Sequence, residues 1–365
     1  MRKMDANRKD MLTRNPGGVR LGGLDLLRVV SALMIFLFHS SIHIKCNYGL
    51  LNPFIKMGAC FMTGFFMLSG FIMFYVYAET DITELRHIVG FYKKRVVHIL
   101  PTYYVVAVLF NIFIGQESIS RNLLLAPVEA LGIQSMFSSL FSISHNGGTW
   151  FVSCIIFCYL LFPFLQNCVK QMERKFKAIL LIVCEGILLY APIVVLLWKL
   201  ASIYTNPFFR ILEFLAGILL ASLVTEMEKS KILKLIFLNK GAIAIEFSAM
   251  IISITFLYEK NIFRDNYMMY SWICMPIFSA MLVALAVTKW EKVEESKVVH
   301  YFSNLSYCFF LSQFFVWKII NRLQIESNVL KMCFSLLVCI IISIVLHEWV
   351  EKPCGKLLMK KRIAI

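Results

Sequence analysis

Charge is scarce in this chain. Asp, Glu, Lys and Arg make up 16% of its 365 residues, where a soluble domain carries roughly 25%. Together with 59% hydrophobic residues and a mean hydropathy of +0.73, that shortage excludes intrinsic disorder and argues against a conventional cytosolic enzyme. Acid is scarcer than base, with 22 Asp and Glu against 37 Lys and Arg and a net charge of +15. The eleven cysteines form no paired CxxC motifs at zinc-ligand spacing, and most sit inside apolar runs. They therefore read as small buried hydrophobes rather than as ligands or disulfide partners. No internal repeat is visible, and neither end has the composition of a soluble domain. What is abundant is Phe (32) and Met (18), with Trp (6), as expected where the outer surface faces lipid.

Apolar runs long enough to cross about 30 Å of hydrocarbon lie near residues 25–44, 54–77, 97–115, 150–169, 178–198, 208–225, 241–258, 271–288, 304–320 and 332–350. The expected fold is all-α, a polytopic membrane protein with about ten transmembrane helices. A further apolar stretch, 121–141, is broken by Pro127, Glu129 and Gly132. Charge decides its status. With ten spans and both termini cytoplasmic, the inner segments hold 26 Lys and Arg and the outer segments nine, in accord with the positive-inside rule. An eleventh span at 121–141 would invert every later loop. The expected organisation is a basic cytoplasmic tail 1–24, a ten-helix domain 25–350 with an outer loop 116–149, and a basic cytoplasmic tail 351–365. The first apolar run contains Arg28 and is followed by no small-x-small cleavage site, so it reads as a span and not as a cleaved signal. The expected location is the plasma or inner membrane, multi-pass.

An ionisable group inside a span is costly and usually faces a cavity or a partner. The first span carries Asp25, Arg28 and His39. Eleven residues make three helical turns plus about 20°, which puts Arg28 and His39 on one face and about 16 Å apart along the axis. Asp25, three before Arg28, can pair with it, and His43 extends the stripe. Asp25 and Arg28 alone suit an anchor at the cytoplasmic end, while His39, in mid-span on the Arg28 face, reads as functional; the three are the candidate site of this helix. At the entrance to the third span, Lys93, Lys94, Arg95 and His98 stand just before Pro101. They suit a positive-inside anchor and equally a cradle for phosphates. Arg210 and Glu213, three apart, suit a structural ion pair. With Trp150, a residue expected at an interface, they are also carried as substrate-binding candidates. Nothing suggests a metal, and in a membrane chain the positive charge does not indicate nucleic acid.

In order and spacing, these features resemble the integral membrane acyltransferases of acyltransferase family 3. The opening motif is present as Arg20, Leu24, Asp25, Leu27, Arg28 and His39, and the FF-x-LSGF segment as Phe65 to Phe71. Lys94, Arg95, His98, Pro101 and Tyr103 overlay an RxxRxxP region. Trp150, Tyr159 and Pro163 match a W…Y…P span, and Arg210, Glu213, Phe214 and Gly217 an R-x-x-EF-x-x-G segment. Leu305 to Gln313 and Glu351 to Pro353 are similar to the terminal SY-x-x-x-L-x-H and E-x-P elements. Three positions depart from the pattern. His98 stands for the second Arg of RxxR, Gln313 for a His, and Ile155 for a Glu carried by some members.

The resemblance implies transfer of an acyl group, most commonly acetyl, from cytoplasmic acyl-CoA to a hydroxyl of an extracytoplasmic or lipid-linked glycan. It implies no tightly bound cofactor, acyl-CoA being the donor substrate. The family's fused esterase-like domain is not seen, so a stand-alone member is expected. In this picture Arg28, Lys93, Lys94, Arg95 and His98 hold the CoA phosphates, and His39 acts as base or accepts the acyl group. The competing readings from the residues alone are a transporter or flippase, for which such intramembrane charges are equally suited, and a non-catalytic polysaccharide export subunit.

Overall fold

The computed structural model describes residues 21–114, 119–137, 140, 149–198, 203–226, 240–262, 269 and 273–360. The expected N-terminal tail up to residue 20, most of the loop 138–148 and the last five residues lie outside this set. The described chain is helical, with no strand. In order come α1 (Gly22–His43), α2 (Phe61–Val76), α3 (Leu85–Phe113), the short α4 (Ile119–Ala130), α5 (Trp150–Gln171), α6 (Arg174–Leu197) and α7 (Pro207–Glu226). They are followed by α8 (Lys240–Glu259), α9 (Met275–Val287), α10 (Lys297–Ile320), α11 (Asn328–Val345), a π-helical turn (Leu346–Glu351) and α12 (Lys352–Lys360).

Among the described residues, eight helices are long and apolar enough to cross a membrane, where the sequence led us to expect about ten. The two that fall short do so for different reasons. Helix α9 has 13 residues, about 20 Å of rise. Helix α10 has 24, but Lys297, His300, Ser303 and Asn304 crowd its first turns, and the last three of these turn out to line the site. Helix α4, within the 121–141 stretch, has only 12 residues and is too short to span. Tyr103 and Tyr104 of α3 donate hydrogen bonds to the carbonyls of Glu129 (2.9 Å) and Ala130 (2.6 Å) and tie its end to α3.

Helix α2 is the central element. Of its apolar window 78% is buried, against 17% for α8 and 22% for α6, so the latter form part of the rim. Its tightest neighbour is α7, and two glycines account for the fit. A Cβ on Gly70 would stand 1.9 Å from the Phe214 carbonyl oxygen, and one on Gly217 would stand 1.9 Å from that of Met67. Each glycine receives the other helix's backbone, as small-residue crossings in membranes do.

Prolines inside α3, α5 and α6 (Pro101, Pro163, Pro192) are of the kind tolerated in spans that neighbouring helices support. Helix starts at α10 and α11 are capped by Ser296 and Ser327, whose hydroxyls accept from Val299 N and Leu330 N. Between α2 and α3, Asp81 accepts from the Thr83 hydroxyl (2.6 Å) and amide (2.9 Å), bonds that hold its carboxyl below the usual range. All eleven cysteines are unpaired, and eight are buried.

Candidate active site

One end of the bundle contains a cavity of about 650 Å³, within the roughly 300–1,000 Å³ common for ligand sites. It lies where the start of α1, the end of α2, the first half of α3, the start of α10 and the start of α12 meet. This is the end at which the charge count places the cytoplasm. Four of the expected donor-binding residues, Arg28, Lys94, Arg95 and His98, line it, as does Asp25. Lys93 does not line it. Lys352 adds a further cation to the wall.

The guanidinium of Arg28 has Asp25, Tyr159 and Arg95 as its electrostatic neighbours. Arg95 lies over the rings of Tyr159 (5.6 Å) and Phe91 (5.7 Å), and Lys94 lies over Tyr77 (5.9 Å). The aromatic faces help to hold these cations, and the buried Nε of Arg95 has no hydrogen-bond partner among the described residues. Asp25 is engaged by α10. Ser303 donates to its Oδ1 (2.7 Å), and His300 Nδ1 stands 3.5 Å from Oδ2.

Opposite Arg28, Glu351 anchors a network that the sequence analysis placed only in a motif. Its Oε1 contacts His98 Nδ1, and its Oε2 contacts His347 Nδ1 at 2.7 Å and accepts from the Cys308 thiol at 3.5 Å. Glu351 is the last residue of the π-helical turn. Such widened turns are frequent at functional sites; this one carries both His347 and Glu351, which are buried and in contact. Cys308, His347 and Glu351 place donor atoms within 4.8 Å of one another, close enough to consider an ion. The 2.7 Å His347–Glu351 contact is a hydrogen-bond distance, shorter than the roughly 3.3 Å between two ligands of a tetrahedral zinc. The group has the geometry of hydrogen-bonded side chains.

The remaining expected residues lie elsewhere. The cavity stops short of His39. Its deep end is walled by Phe65 and Phe151, with Phe310 packed behind them at 6.5 and 4.2 Å between ring centroids. Arg28 and His39, which helical spacing puts on one face of α1, therefore do not line one cavity, and rings from three helices close the cavity on this side. His39 sits beyond, its ring stacked on His43 (5.7 Å) and beside Phe38 (5.2 Å).

Trp150, Arg210 and Glu213 form a separate closed group. Arg210 and Glu213 have no solvent exposure. Arg210 Nη1 donates to both carboxylate oxygens of Glu213 (2.7 and 2.9 Å), its Nε donates to the Tyr204 carbonyl (2.7 Å), and Thr63 donates to Glu213 (2.9 Å). Tyr204 and Trp150 cover the guanidinium at 4.2 and 5.1 Å. This arrangement binds α2, α5 and α7 together.

A family model for the acyltransferase domain of acyltransferase family 3 matches residues 21–348. The chain belongs to that family. It is a multi-pass membrane acyltransferase, and the matched span contains Asp25, Arg28, His39 and the basic segment of α3. No curated protein and no solved structure matches the chain. Glu351 and Lys352 fall just past the matched residues, yet they complete the wall of this acyltransferase's cavity.

Proposed function

We propose that this acyltransferase takes an acyl group, most commonly acetyl, from cytoplasmic acyl-CoA and passes it to a hydroxyl of a glycan on the far side of the membrane or on a lipid carrier. The observation that carries this reading is the cavity: Arg28, Lys94, Arg95, His98 and Lys352 face one space at the end of the bundle assigned by charge to the cytoplasm. A CoA pyrophosphate and a further phosphate are matched by guanidinium and ammonium groups, and His98 joins them while Glu351 fixes its ring.

The pantetheine arm then extends past Phe65, Phe151 and Phe310, whose side chains must turn aside, towards His39. There the neutral imidazole takes the proton of the attacking hydroxyl as its oxygen bonds to the thioester carbonyl carbon. The carbon–sulfur bond breaks, and the CoA thiolate leaves and is protonated. An acyl-imidazole relay is the covalent version of the same route. Arg28, about 16 Å away along α1, serves donor binding.

Membranes given acetyl-CoA labelled in the acetyl group provide the test. Wild-type protein is expected to deposit ester-linked label on glycan, and His39→Ala to deposit none at equal protein abundance. Transfer by His39→Ala at the wild-type level would remove His39 from the chemistry. Absence of label in the wild type with acetyl-CoA, but not with another activated acyl donor, would overturn the donor assignment.

A further inference from the structure

Beyond the donor cavity, α1 and α10 run side by side in the same direction. Asp25 meets Ser303 near their starts, and His43 stacks on Trp317 (6.3 Å) eighteen residues further along α1. The helical stretch between these contacts therefore brings Gln313 of α10 to within about a turn of the level of His39.

At this level the polar atoms are unsatisfied. Gln313 is 2% exposed, and neither its amide oxygen nor its amide nitrogen has a hydrogen-bond partner among the described residues. The same holds for the buried Nδ1 of His39 and for Nε1 of Trp317, which is 1% exposed and lies one turn from Gln313 on the same helix face. A buried polar atom without a partner costs about 1–3 kcal/mol, and native interiors leave few of them. Four on two adjoining helices mark a place built for something polar to enter. The aromatic contacts connect these side chains: the His39 ring stacks on His43, and His43 stacks on Trp317 and meets Phe314 edge-on at 6.0 Å. His43 is half-buried and Lys318 is exposed, so the group opens at the end of the bundle opposite the donor cavity.

We infer that this polar seam between α1 and α10 is where the acceptor binds and that Gln313 is the residue that recognises the sugar there. A primary amide offers a donor and an acceptor together, which suits a hydroxyl that must itself both give and take a hydrogen bond. The indole N–H supplies a second donor, and the half-buried His43 ring supplies an apolar flank for the sugar. The class of ligand is thus a hydroxyl-bearing pyranoside. Its reacting hydroxyl is held by Gln313 and directed at the open imidazole nitrogen of His39. The assignment of His39 to chemistry rests on the function proposed above. The recognition by Gln313 stands on the unsatisfied atoms.

The test uses the full-length protein in detergent with methyl glucoside and methyl N-acetylglucosaminide as probes and CoA as the ligand of the other cavity. Wild-type protein is expected to gain about 2 °C or more in melting temperature with one of the glycosides at roughly 100 mM. Gln313→Met, close in volume but without the amide, is expected to lose that shift while keeping the shift given by CoA. Without ligand its melting temperature should equal or exceed the wild type's, because two unsatisfied atoms are gone. A glycoside shift that is the same in both proteins, or that neither protein shows, overturns the subsite. A Gln313→Met protein destabilised without ligand shows the amide to be structural and overturns it too. These outcomes are independent of the labelled-acetyl assay, so the subsite and the acyl-transfer reading fail separately.

Discussion

Arg95 shows how one side chain can serve two demands. Its guanidinium is held between the faces of Phe91 and Tyr159 while Nε stays without a protein partner, which leaves hydrogen-bonding capacity for a phosphate. Arg95→Ala is expected to raise the KM for acyl-CoA by about 10-fold or more with kcat little changed, from the loss of a charge-assisted contact. An initial-rate series in donor concentration checks this. Arg95→Lys is not a neutral change, because the ammonium lacks the planar fork that stacks and bonds at once. His98 and Glu351 form the second residue-scale feature. Removing the carboxylate with Glu351→Ala leaves His98, His347 and Cys308 without their common acceptor and is expected to destabilise the protein by about 3 kcal/mol, readable as a lower unfolding midpoint. His98→Arg places a permanent cation against Glu351 and is expected to retain donor binding. Asp25, Arg28, Lys94, Arg95 and His98 were legible as a site because their spacing on α1 and α3 is local. Glu351 was legible only as part of a motif, since two of its three partners, His98 and Cys308, come from positions far away along the chain. The departure at position 98 was the available signal, as a missing Arg asks what its usual partner does.

Among the elements, α2 and α7 depend on two glycines with backbone against them. Gly217→Ala must push Met67 away by well over an ångström, since a Cβ would sit 1.9 Å from its carbonyl oxygen. The expected result is a protein that fails to accumulate or melts far below wild type, overpacking costing about 1–3 kcal/mol even where side chains can yield. Gly186→Ala on α6, where nothing lies within 4 Å, is the control and is expected to be neutral or to stabilise by up to about 1 kcal/mol. Paired melting curves read both. Helix positions were broadly visible in the sequence as apolar runs. The run 304–320 reads as a span, yet the full α10 falls short of a span's apolarity, because its first turns line a polar cavity.

Across the whole molecule, two polar regions lie at different depths, with Phe65, Phe151 and Phe310 between them. Phe310→Ala is expected to open the partition and raise acyl-CoA hydrolysis in the absence of acceptor several-fold, with thiol release as the readout. An unchanged hydrolysis rate would mean that the rings do not restrain the donor. Helical periodicity placed Arg28 and His39 on one face but could not reveal this barrier, which is assembled from α2, α5 and α10 and exists only in three dimensions. The π-helical turn bears on practice as well. Because it leads straight into α12, whose Lys352 and Gly355 face the cavity, α12 is mechanically joined to the cavity wall. A fluorescent protein fused directly behind Lys360 would tug on Glu351 and blunt activity, whereas the same reporter on a flexible Gly/Ser spacer would leave it intact.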